Sequence, residues 1–250
     1  MHAVLLAGGF ARRLWPLTKD KPKPLLPVGG RPIIEHILER LSSVDEIEKI
    51  HISVNSRFEP HFNEWLGKFS SQKPIEIFTE PSTSEENKLG AVGALGYLFR
   101  EKGIDGDVLV VAGDNLFDFD INHFLAQHNG DPSIALYEMA DIETVRNKYG
   151  VVELDGNSII RNFQEKPDQP ASSFISTGCY FFPKRAVNLL HEYLSGGNNP
   201  DAPGFFVSWL SRQVPVRGHV FNSDTTWFDI GSIESYREAD RIMSERQRNF

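Results

Sequence analysis

The chain alternates short apolar runs with longer segments in which apolar residues recur every three or four positions. Apolar runs bounded by glycine or polar residues indicate buried strands, and the longer spacing indicates amphipathic helices. Strands that alternate with helices favour right-handed βαβ units and a mainly parallel sheet, whose ligands bind beyond the carboxyl ends of the strands. In the first half of the chain, the pattern predicts strands at residues 2–7, 49–54, 75–78 and 108–111, and helices at residues 32–41 and 59–69.

The second half continues the alternation and adds a hairpin signal at Asp155-Gly156-Asn157, between strands predicted at residues 151–154 and 158–164. No internal repeat and no low-complexity linker interrupts the pattern, so one α/β domain over residues 1–250 is expected. The other predicted elements are helices at residues 122–128, 183–194, 205–212 and 233–246, and strands at residues 133–139, 174–182 and 214–221.

The first predicted strand ends at Gly8-Gly9, and a segment of dense positive charge follows it. Glycine has no Cβ, so its backbone N–H groups can approach an anion closely. The pattern is therefore typical of a loop that handles phosphate, although a plain turn followed by a solvated basic face has the same residues. The basic residues are Arg12, Arg13, Lys19, Lys21 and Lys23. The prolines expected to hold the segment extended and stiff, and so to aim Lys23, are Pro16, Pro22, Pro24 and Pro27.

Composition narrows the range of functions. The formal net charge of −8 argues against a nucleic-acid or anionic-membrane surface, and it makes the basic segment a local feature. Cys179 is the single cysteine and lies in an apolar run, where a small core residue is expected. No signal-peptide pattern or long apolar span occurs, so a cytoplasmic protein is expected, and a homo-oligomer is compatible with these features. The sequence has no His-Glu-x-x-His, Walker A or G-x-G-x-x-G motif.

Two further segments have both a structural and a functional interpretation. Asp114 follows Gly113 at the end of the strand at residues 108–111, where a carboxylate suits Mg²⁺ with phosphates but is also a common turn residue. The small residues Gly90, Gly93 and Ala94 allow close helix packing, or let a flat ring lie against the backbone. The residues alone favour helix packing at the second segment and a turn at the first.

The stretch from Leu5 to Ile34 resembles the signature of the sugar nucleotidyltransferases, in which L-A-G-G-x-G-T-R-L-x-P-L-T precedes P-K-P-L-L-P-V. Two positions depart from that signature, because Ala11 stands where the family has glycine and Arg12 where it has threonine or serine. Ala11 makes a positive φ costlier at that point. Alignment with the signature favours Arg13 over Arg12 as the functional arginine.

Later segments resemble the same family in the same order, so the resemblance covers nearly the whole chain. It implies a Rossmann-like nucleotide-diphospho-sugar transferase fold, a mainly parallel mixed sheet flanked by helices. It also implies catalytic roles for Arg13 and Lys23. The other implied sites are nucleotide binding by Leu6, Ala7, Gly8, Gly9, Arg12, Arg13, Lys23, Gly90 and Asp114; sugar-phosphate binding by Gly150, Glu165, Lys166, Thr177 and Gly178; and Mg²⁺ binding by Asp114 and Asp229.

The resemblance implies that the chain joins an NTP and a sugar 1-phosphate into an NDP-sugar and pyrophosphate. Glucose 1-phosphate with dTTP or UTP is the favoured pair, and a mannose-1-phosphate guanylyltransferase is the alternative. The chain length favours the type with a catalytic domain only, without a C-terminal β-helix. On the sugar side, Pro167 predicts an extended backbone at Lys166.

Two other classes of protein remain as alternatives. A GT-A glycosyltransferase would use an Asp-x-Asp metal motif, whose letters occur at Asp118-Phe119-Asp120, although no apolar strand directly precedes them. A non-catalytic subunit descended from the enzyme would usually have lost a functional lysine or aspartate, whereas Lys23, Asp114 and Asp229 are all present.

Overall fold

The computed structural model describes residues 1–221 and 224–248, with the side chains of residues 247 and 248 left out. In chain order, the strands are β1 (His2–Leu6), β2 (Pro27–Val28), β3 (Arg31–Pro32), β4 (Lys49–Asn55), β5 (Ile75–Glu80), β6 (Val108–Ala112), β7 (Asn115–Phe117), β8 (Ser133–Glu138), β9 (Gly150–Leu154), β10 (Ile160–Glu165), β11 (Phe174–Phe182), β12 (Arg217–Phe221) and β13 (Trp227–Asp229). The α-helices are α1 (Ile33–Ser42), α2 (Glu59–Leu66), α3 (Ala91–Lys102), α4 (Ile121–Ala126), α5 (Lys184–Ser195), α6 (Pro203–Leu210) and α7 (Ile233–Arg248).

The chain forms two compact units, each assembled from segments that are separated in sequence. The loop unit consists of Ala3–Lys88, Ala112–Asp118 and the chain from Thr226 onward. The hairpin unit consists of Met1–His2, Leu89–Val111 and Phe119–Thr225. Because the segments interleave, no single cut in the sequence separates the units, and the single catalytic domain expected from the sequence stays a prediction.

The loop unit is built on strands β1, β4 and β5, which lie side by side in that order. Strands β4 and β5 run parallel, with Ile50 opposite Ile75 and Asn55 opposite Glu80. Parallel pairing places Asn55 and Glu80 together at the carboxyl end of the sheet. Helix α1 buries Ile33, Ile34, Ile37, Leu38 and Leu41 along one face, as its spacing predicted.

The hairpin unit has a mixed sheet in the order β10-β9-β11-β6, with β8 also paired to β11. Strands β9 and β10 form the antiparallel hairpin predicted around Asp155-Gly156-Asn157. Strand β12 runs parallel to β8. Helix α3 packs against α5 so closely that a Cβ on Gly96 would lie 2.2 Å from Cδ1 of Leu194. The prediction that this small-residue segment permits close helix packing is confirmed.

The main elements agree with the pattern of apolar positions, and the differences lie at their ends. Strand β5 continues to Glu80, two residues past the predicted end, and β12 begins at Arg217 rather than at residue 214. Pro32 precedes α1 instead of occupying its first turn. The short strands β2, β3, β7 and β13 were not predicted, because two or three residues are too few to show a period.

Among the helices of the described residues, none combines the length and the apolar character needed to cross a membrane.

Candidate functional site

The glycine loop between β1 and residue 13 is held by neighbouring strands of the loop unit. The Ala7 N–H donates to the Ser53 carbonyl oxygen at 2.8 Å. The Gly8 carbonyl accepts a hydrogen bond of 2.9 Å from Nδ2 of Asn55, a buried residue at the end of β4. Gly9 is exposed, and apart from its two chain neighbours no atom of the described residues lies within 4 Å of the position that its Cβ would take. The loop is thus fixed at its base and open at Gly9, as a phosphate-binding loop requires.

The two arginines after the loop have different surroundings. Ala11 adopts a φ of 47° at the start of a short 3₁₀ turn, so this backbone is left-handed despite the Cβ, at a cost of about 1 kcal/mol. Arg12 forms an exposed ion pair of 2.7 Å with Glu86, whose pKa it lowers to about 2. Arg13 is exposed and makes no ion pair within the described part of the chain. Its guanidinium therefore has no competing carboxylate, in contrast to that of Arg12.

Lys23 lies in the same unit as most of the predicted nucleotide-binding residues. It sits in a 3₁₀ turn between Pro22 and Pro24, and its side chain is only 8% exposed. Its Nζ donates a hydrogen bond of 2.8 Å to Oδ2 of Asp114, whose side chain is 41% exposed. The prolines and this ion pair fix the direction of the lysine. The extended backbone expected for this segment is wrong at Arg12–Leu14 and at Lys23–Leu25, which form 3₁₀ turns.

The second predicted metal ligand lies on the strand that pairs with the segment after Asp114. Strand β13 runs antiparallel to β7, with Asp229 opposite Asn115. The Ile230 N–H also donates to the Asp114 carbonyl oxygen at 3.3 Å. This ladder brings the backbones at the two predicted ligands, 114 and 229, side by side although they are far apart in sequence.

The donor set at Asp114 and Asp229 fits a magnesium ion. Within residues 1–221 and 224–248, no group of three or more His, Cys, Asp or Glu side chains could hold a metal by itself. Mg²⁺ is commonly bound through one or two carboxylates while substrate phosphates and water complete its octahedron. Two carboxylates on neighbouring backbones match that mode, and they do not match a preformed protein cage.

Sequence reasoning missed Glu80, which is the last residue of β5 and is only 4% exposed. Its Oε1 would lie 2.3 Å from a Cβ on Gly8, so a larger residue at position 8 would displace the carboxylate. Burial raises the pKa of Glu80 to about 7. The signal that could have found it is a glutamate directly after a run of strand residues, at the carboxyl end of a parallel strand.

Of the predicted sugar-side residues in the hairpin unit, Gly150 and Lys166 lie next to Glu165. Glu165 ends β10 opposite Gly150, and its side chain is 13% exposed. A Cβ on Gly150 would lie 3.4 Å from Oε2 of Glu165, and one on Gly204 would lie 2.0 Å from it. Burial raises the pKa of Glu165, and nearby Lys166 opposes that shift. Gly204, at the start of α6, was not predicted from the sequence.

The extended backbone predicted for Lys166 is wrong. Its φ is 49°, in the left-handed region, and its Nζ lies 3.7 Å from Oε1 of Glu165. Two backbone hydrogen bonds turn the chain here, because the Lys166 N–H donates to the Tyr149 carbonyl and the Asn147 N–H to the Pro167 carbonyl. In this turn, Glu165 and Lys166 form an ion pair in which the Lys166 ammonium is half-exposed.

Three other predicted residues of the hairpin unit have structural contacts. Thr177 is buried, and its hydroxyl donates a hydrogen bond of 2.9 Å to the Ala135 carbonyl. Gly178 has a φ of 78° where the register between β11 and β8 shifts. Gly90 precedes α3 with a φ of 75°, and its Cβ would lie 2.4 Å from the Pro200 carbonyl oxygen. These glycines are required by the backbone whether or not a ligand contacts them.

The Asp-x-Asp letters at residues 118–120 have structural roles. Asp118 accepts hydrogen bonds from the Thr226 N–H and from Arg246. Asp120 caps helix α4 by accepting from the Asn122 N–H at 2.8 Å. Cys179 is buried as expected, and burial raises the pKa of its thiol.

The chain matches a protein-family model over nearly its whole length and resembles several named relatives. The family model described as nucleotidyl transferase matches residues 2–246. A candidate mannose-1-phosphate guanyltransferase from Sulfolobus acidocaldarius is 34% identical over 94% of this chain and 61% of its own length. The bifunctional protein GlmU from Methanocaldococcus jannaschii is 27% identical over 98% of this chain and 55% of its own length. A UTP–glucose-1-phosphate uridylyltransferase from Synechocystis is 29% identical over 99% of this chain and 64% of its own length. The chain thus spans less than two thirds of each of these relatives.

Solved structures with the same fold support the predicted fold class. A crystal structure of a candidate glucose-1-phosphate thymidylyltransferase from Bacillus anthracis superposes with a TM-score of 0.82 over 98% of this chain and 96% of that chain, at 24% identity. A UDP-glucose pyrophosphorylase in complex with UDP-glucose superposes with a TM-score of 0.81 over 98% of both chains, at 19% identity. The Rossmann-like fold with a mixed, mainly parallel sheet flanked by helices is confirmed.

Proposed function

We propose that this chain, which belongs to the nucleotidyl transferase family, transfers a nucleotidyl group from an NTP to a sugar 1-phosphate. The observation that carries the proposal is the buried Lys23 aimed at Asp114 beside an anchored glycine loop. Two relatives are named as a mannose-1-phosphate guanyltransferase and a UTP–glucose-1-phosphate uridylyltransferase. Both names support a sugar 1-phosphate as the substrate.

The chemistry requires little from the protein beyond positioning and charge neutralisation. An oxygen of the sugar phosphate attacks the α-phosphorus of the NTP in line, and a new P–O bond forms. The bond from the α-phosphorus to the bridging oxygen breaks, and its electron pair leaves with pyrophosphate. The attacking phosphate is already an anion, so the reaction needs no general base, and the main obstacle is the repulsion between two polyanions.

The loop unit supplies cations for this task. In the proposal, N–H groups at Gly8 and Gly9 contact the phosphates, and Arg13 holds the leaving phosphates through its planar fork of donors. Lys23 stabilises the charge that develops at the α-phosphate. Asp114 and Asp229 would hold Mg²⁺, which when bound neutralises phosphate charge as a Lewis acid. Arg12 is assigned a secondary role, since Glu86 already occupies its guanidinium.

The hairpin unit is proposed to bind the sugar phosphate. The half-exposed ammonium of Lys166 is suited to the phosphate, and the carboxylate of Glu165 is suited to accept sugar hydroxyls. Gly150 and Gly178 would contribute backbone contacts. The hydroxyl of Thr177 is bonded to the Ala135 carbonyl, so Thr177 would shape the sugar site only through its position on β11.

The sugar and the nucleotide define two candidates within this class. Glucose 1-phosphate with dTTP or UTP is the pair expected from the sequence, and the uridylyltransferase from Synechocystis agrees with it. A mannose-1-phosphate guanylyltransferase is the second candidate, favoured by the 34% identity to the Sulfolobus protein.

The test is a matrix of NTPs and sugar 1-phosphates in which pyrophosphate release is measured with Mg²⁺ present. The proposal expects at least one pair to give release that depends on both substrates, and Lys23→Met to abolish most of it. Lys21→Met is the matched control, because Lys21 is an exposed lysine two positions away. Pyrophosphate release from no pair, or equal loss in both variants, would refute the proposal.

A further inference from the structure

Helix α7 in the loop unit is hydrogen-bonded to the hairpin that follows Lys23 in the chain. Strands β2 and β3 form this hairpin, and its turn is Gly29-Gly30. The Gly29 N–H donates a hydrogen bond of 2.8 Å to Oδ1 of Asp240, and the Tyr236 hydroxyl donates one of 2.8 Å to the Pro27 carbonyl oxygen. These bonds join residues that are 211 and 209 positions apart, so they are contacts of the tertiary structure.

Gly29 allows the hairpin to approach the helix closely. Its φ is 55°, in the left-handed region, and a Cβ at this position would lie 2.9 Å from the Cβ of Met243 on α7. A side chain at position 29 would therefore strain the backbone and push the hairpin away from the helix. The hairpin and α7 are thus in close backbone contact, and the two hydrogen bonds fix their relative position.

The link between this contact and Lys23 is short and stiff. The 3₁₀ turn at Lys23 closes with a hydrogen bond of 3.0 Å from the Leu26 N–H to the Lys23 carbonyl, and β2 begins at the next residue, Pro27. The Ile33 N–H donates to the Leu26 carbonyl at 3.0 Å, which joins the turn to the start of α1. Because Pro24 and Pro27 fix φ within this link, a displacement of the hairpin also displaces the backbone of Lys23.

The same helix is connected to the segments that contain the two predicted metal ligands. Helix α7 begins at Ile233, four positions after Asp229. Towards its other end, Arg246 donates a hydrogen bond of 3.1 Å to Oδ2 of Asp118, which follows the short strand β7 after Asp114. Helix α7 is therefore linked to all three segments that carry Lys23, Asp114 and Asp229.

We propose that Asp240 and Tyr236 are positioning residues, which hold the hairpin so that Lys23 keeps its direction towards Asp114. This inference rests on the proposed function, in which Lys23 stabilises charge on the α-phosphate. Asp240 should have the larger effect, because a hydrogen bond to an ionised acceptor is stronger than a bond between neutral groups. A small displacement is sufficient, since a shift of about 1 Å in a reacting group can cost 10²-fold in rate.

The first measurement reports on Lys23 without turnover. Competitive acylation of the full-length protein, quantified by mass spectrometry, gives the labelling rate of Lys23 relative to that of Lys21, an exposed lysine of the same molecule. Asp240→Ala removes the acceptor of the Gly29 N–H, whereas Asp240→Asn keeps an oxygen acceptor at the same place. Glu238→Ala is the matched control, because Glu238 is an exposed carboxylate of the same helix.

The proposal expects Asp240→Ala to raise the ratio of Lys23 to Lys21 labelling several-fold, because the buried ammonium becomes more accessible. Tyr236→Phe should raise this ratio less. Asp240→Asn and Glu238→Ala should keep the wild-type ratio. Tyr236→Phe removes only one hydroxyl, so it tests the same contact if Asp240→Ala does not fold. A wild-type ratio in both Asp240→Ala and Tyr236→Phe, or an equal rise in Glu238→Ala, would overturn the inference.

Steady-state kinetics with the best substrate pair then test whether this positioning affects the reaction. Asp240→Ala should lower kcat by roughly 10–10²-fold and change the KM for the NTP little, because Lys23 is assigned to charge that develops in the transition state. Asp240→Asn should recover most of the loss. In the Lys23→Met background, Asp240→Ala should cause little further loss, since the residue through which it acts is already absent.

The double variant separates positioning from a general loss of folded protein. An equal fractional loss of kcat in the wild-type and Lys23→Met backgrounds would mean that Asp240 only stabilises the fold, which also overturns the inference. If the wild-type protein releases pyrophosphate with no substrate pair, the proposed function is refuted, whereas the labelling ratio still decides whether α7 holds Lys23 in place.

Discussion

The Nζ atom of Lys23 lies 2.8 Å from Oδ2 of Asp114, a residue 91 positions further along the chain. The lysine is almost fully buried and the aspartate is half-exposed, so the pair has one side towards solvent. A charged side chain is rarely buried to this degree unless it is paired. The pairing holds the ammonium in one direction, which is what transition-state stabilisation by a preorganised charge requires.

Lys23→Met should lower kcat by roughly 10²–10³-fold, by analogy with removal of one preorganised hydrogen-bond donor. Methionine keeps the apolar stem in its buried position, so the thermal midpoint should change little. Steady-state kinetics with the best substrate pair, beside Lys21→Met, gives the measurement. Turnover near the wild-type value would remove Lys23 from the mechanism.

Arg13→Ala should reduce kcat/KM for the NTP more than Arg12→Ala does. Arg13 has no competing carboxylate within the described residues, whereas Arg12 is bonded to Glu86. The two variants are compared under identical NTP titrations, with Glu86→Gln as the control that frees Arg12. A larger loss for Arg12→Ala would show that the family signature is displaced by one residue in this chain.

Asp114→Asn and Asp229→Asn should each shift the magnesium requirement to higher concentration and nearly abolish activity. Asparagine keeps the shape of aspartate but loses the charge that Mg²⁺ prefers. Asp120→Asn is the control, because asparagine caps a helix as well as aspartate does. If the magnesium titration of either variant matches that of the wild-type protein, that residue is not a metal ligand.

On the sugar side, Lys166→Ala should raise the KM of every sugar 1-phosphate by a similar factor, because the ammonium interacts with the phosphate and not with the ring. Glu165→Gln should instead reduce discrimination between sugar epimers. Measurement of kcat/KM for several epimers separates the two effects. Wild-type kinetics in both variants would mean that this half-buried pair is only a structural salt bridge.

Glu80→Gln should stabilise the protein more at pH 8 than at pH 5. The folded-state pKa of Glu80, about 7, exceeds its ordinary value of 4.5, so the folded protein retains a proton that the unfolded chain loses between these values. Stability is therefore lost as the pH rises through this window, by on the order of 3 kcal/mol once the group is ionised. Thermal midpoints of the variant and the wild-type protein at both pH values test this; an equal difference at pH 5 and pH 8 would contradict the assignment.

Most of the helices and strands follow from local sequence patterns, and the assignment of the glycine loop to phosphate stays a prediction. Buried strands such as residues 108–111 and amphipathic helices such as α1 have a clear period, and Gly8-Gly9 with the cationic segment after it pointed to phosphate. The close helix packing at residues 89–97 also followed from small side chains alone. These features are local, so neighbouring residues are enough to specify them.

The contacts between residues that are distant in sequence could be read only from the folded chain. The pairing of Lys23 with Asp114, and of β7 with β13, depends on strand order and register, which no local pattern encodes. Pro167 favoured an extended Lys166, but backbone hydrogen bonds to residues 147–149 turned the chain the other way. Glu80 looked like an ordinary polar residue at the end of a strand, and its burial against Gly8 follows from the packing of the loop over the sheet.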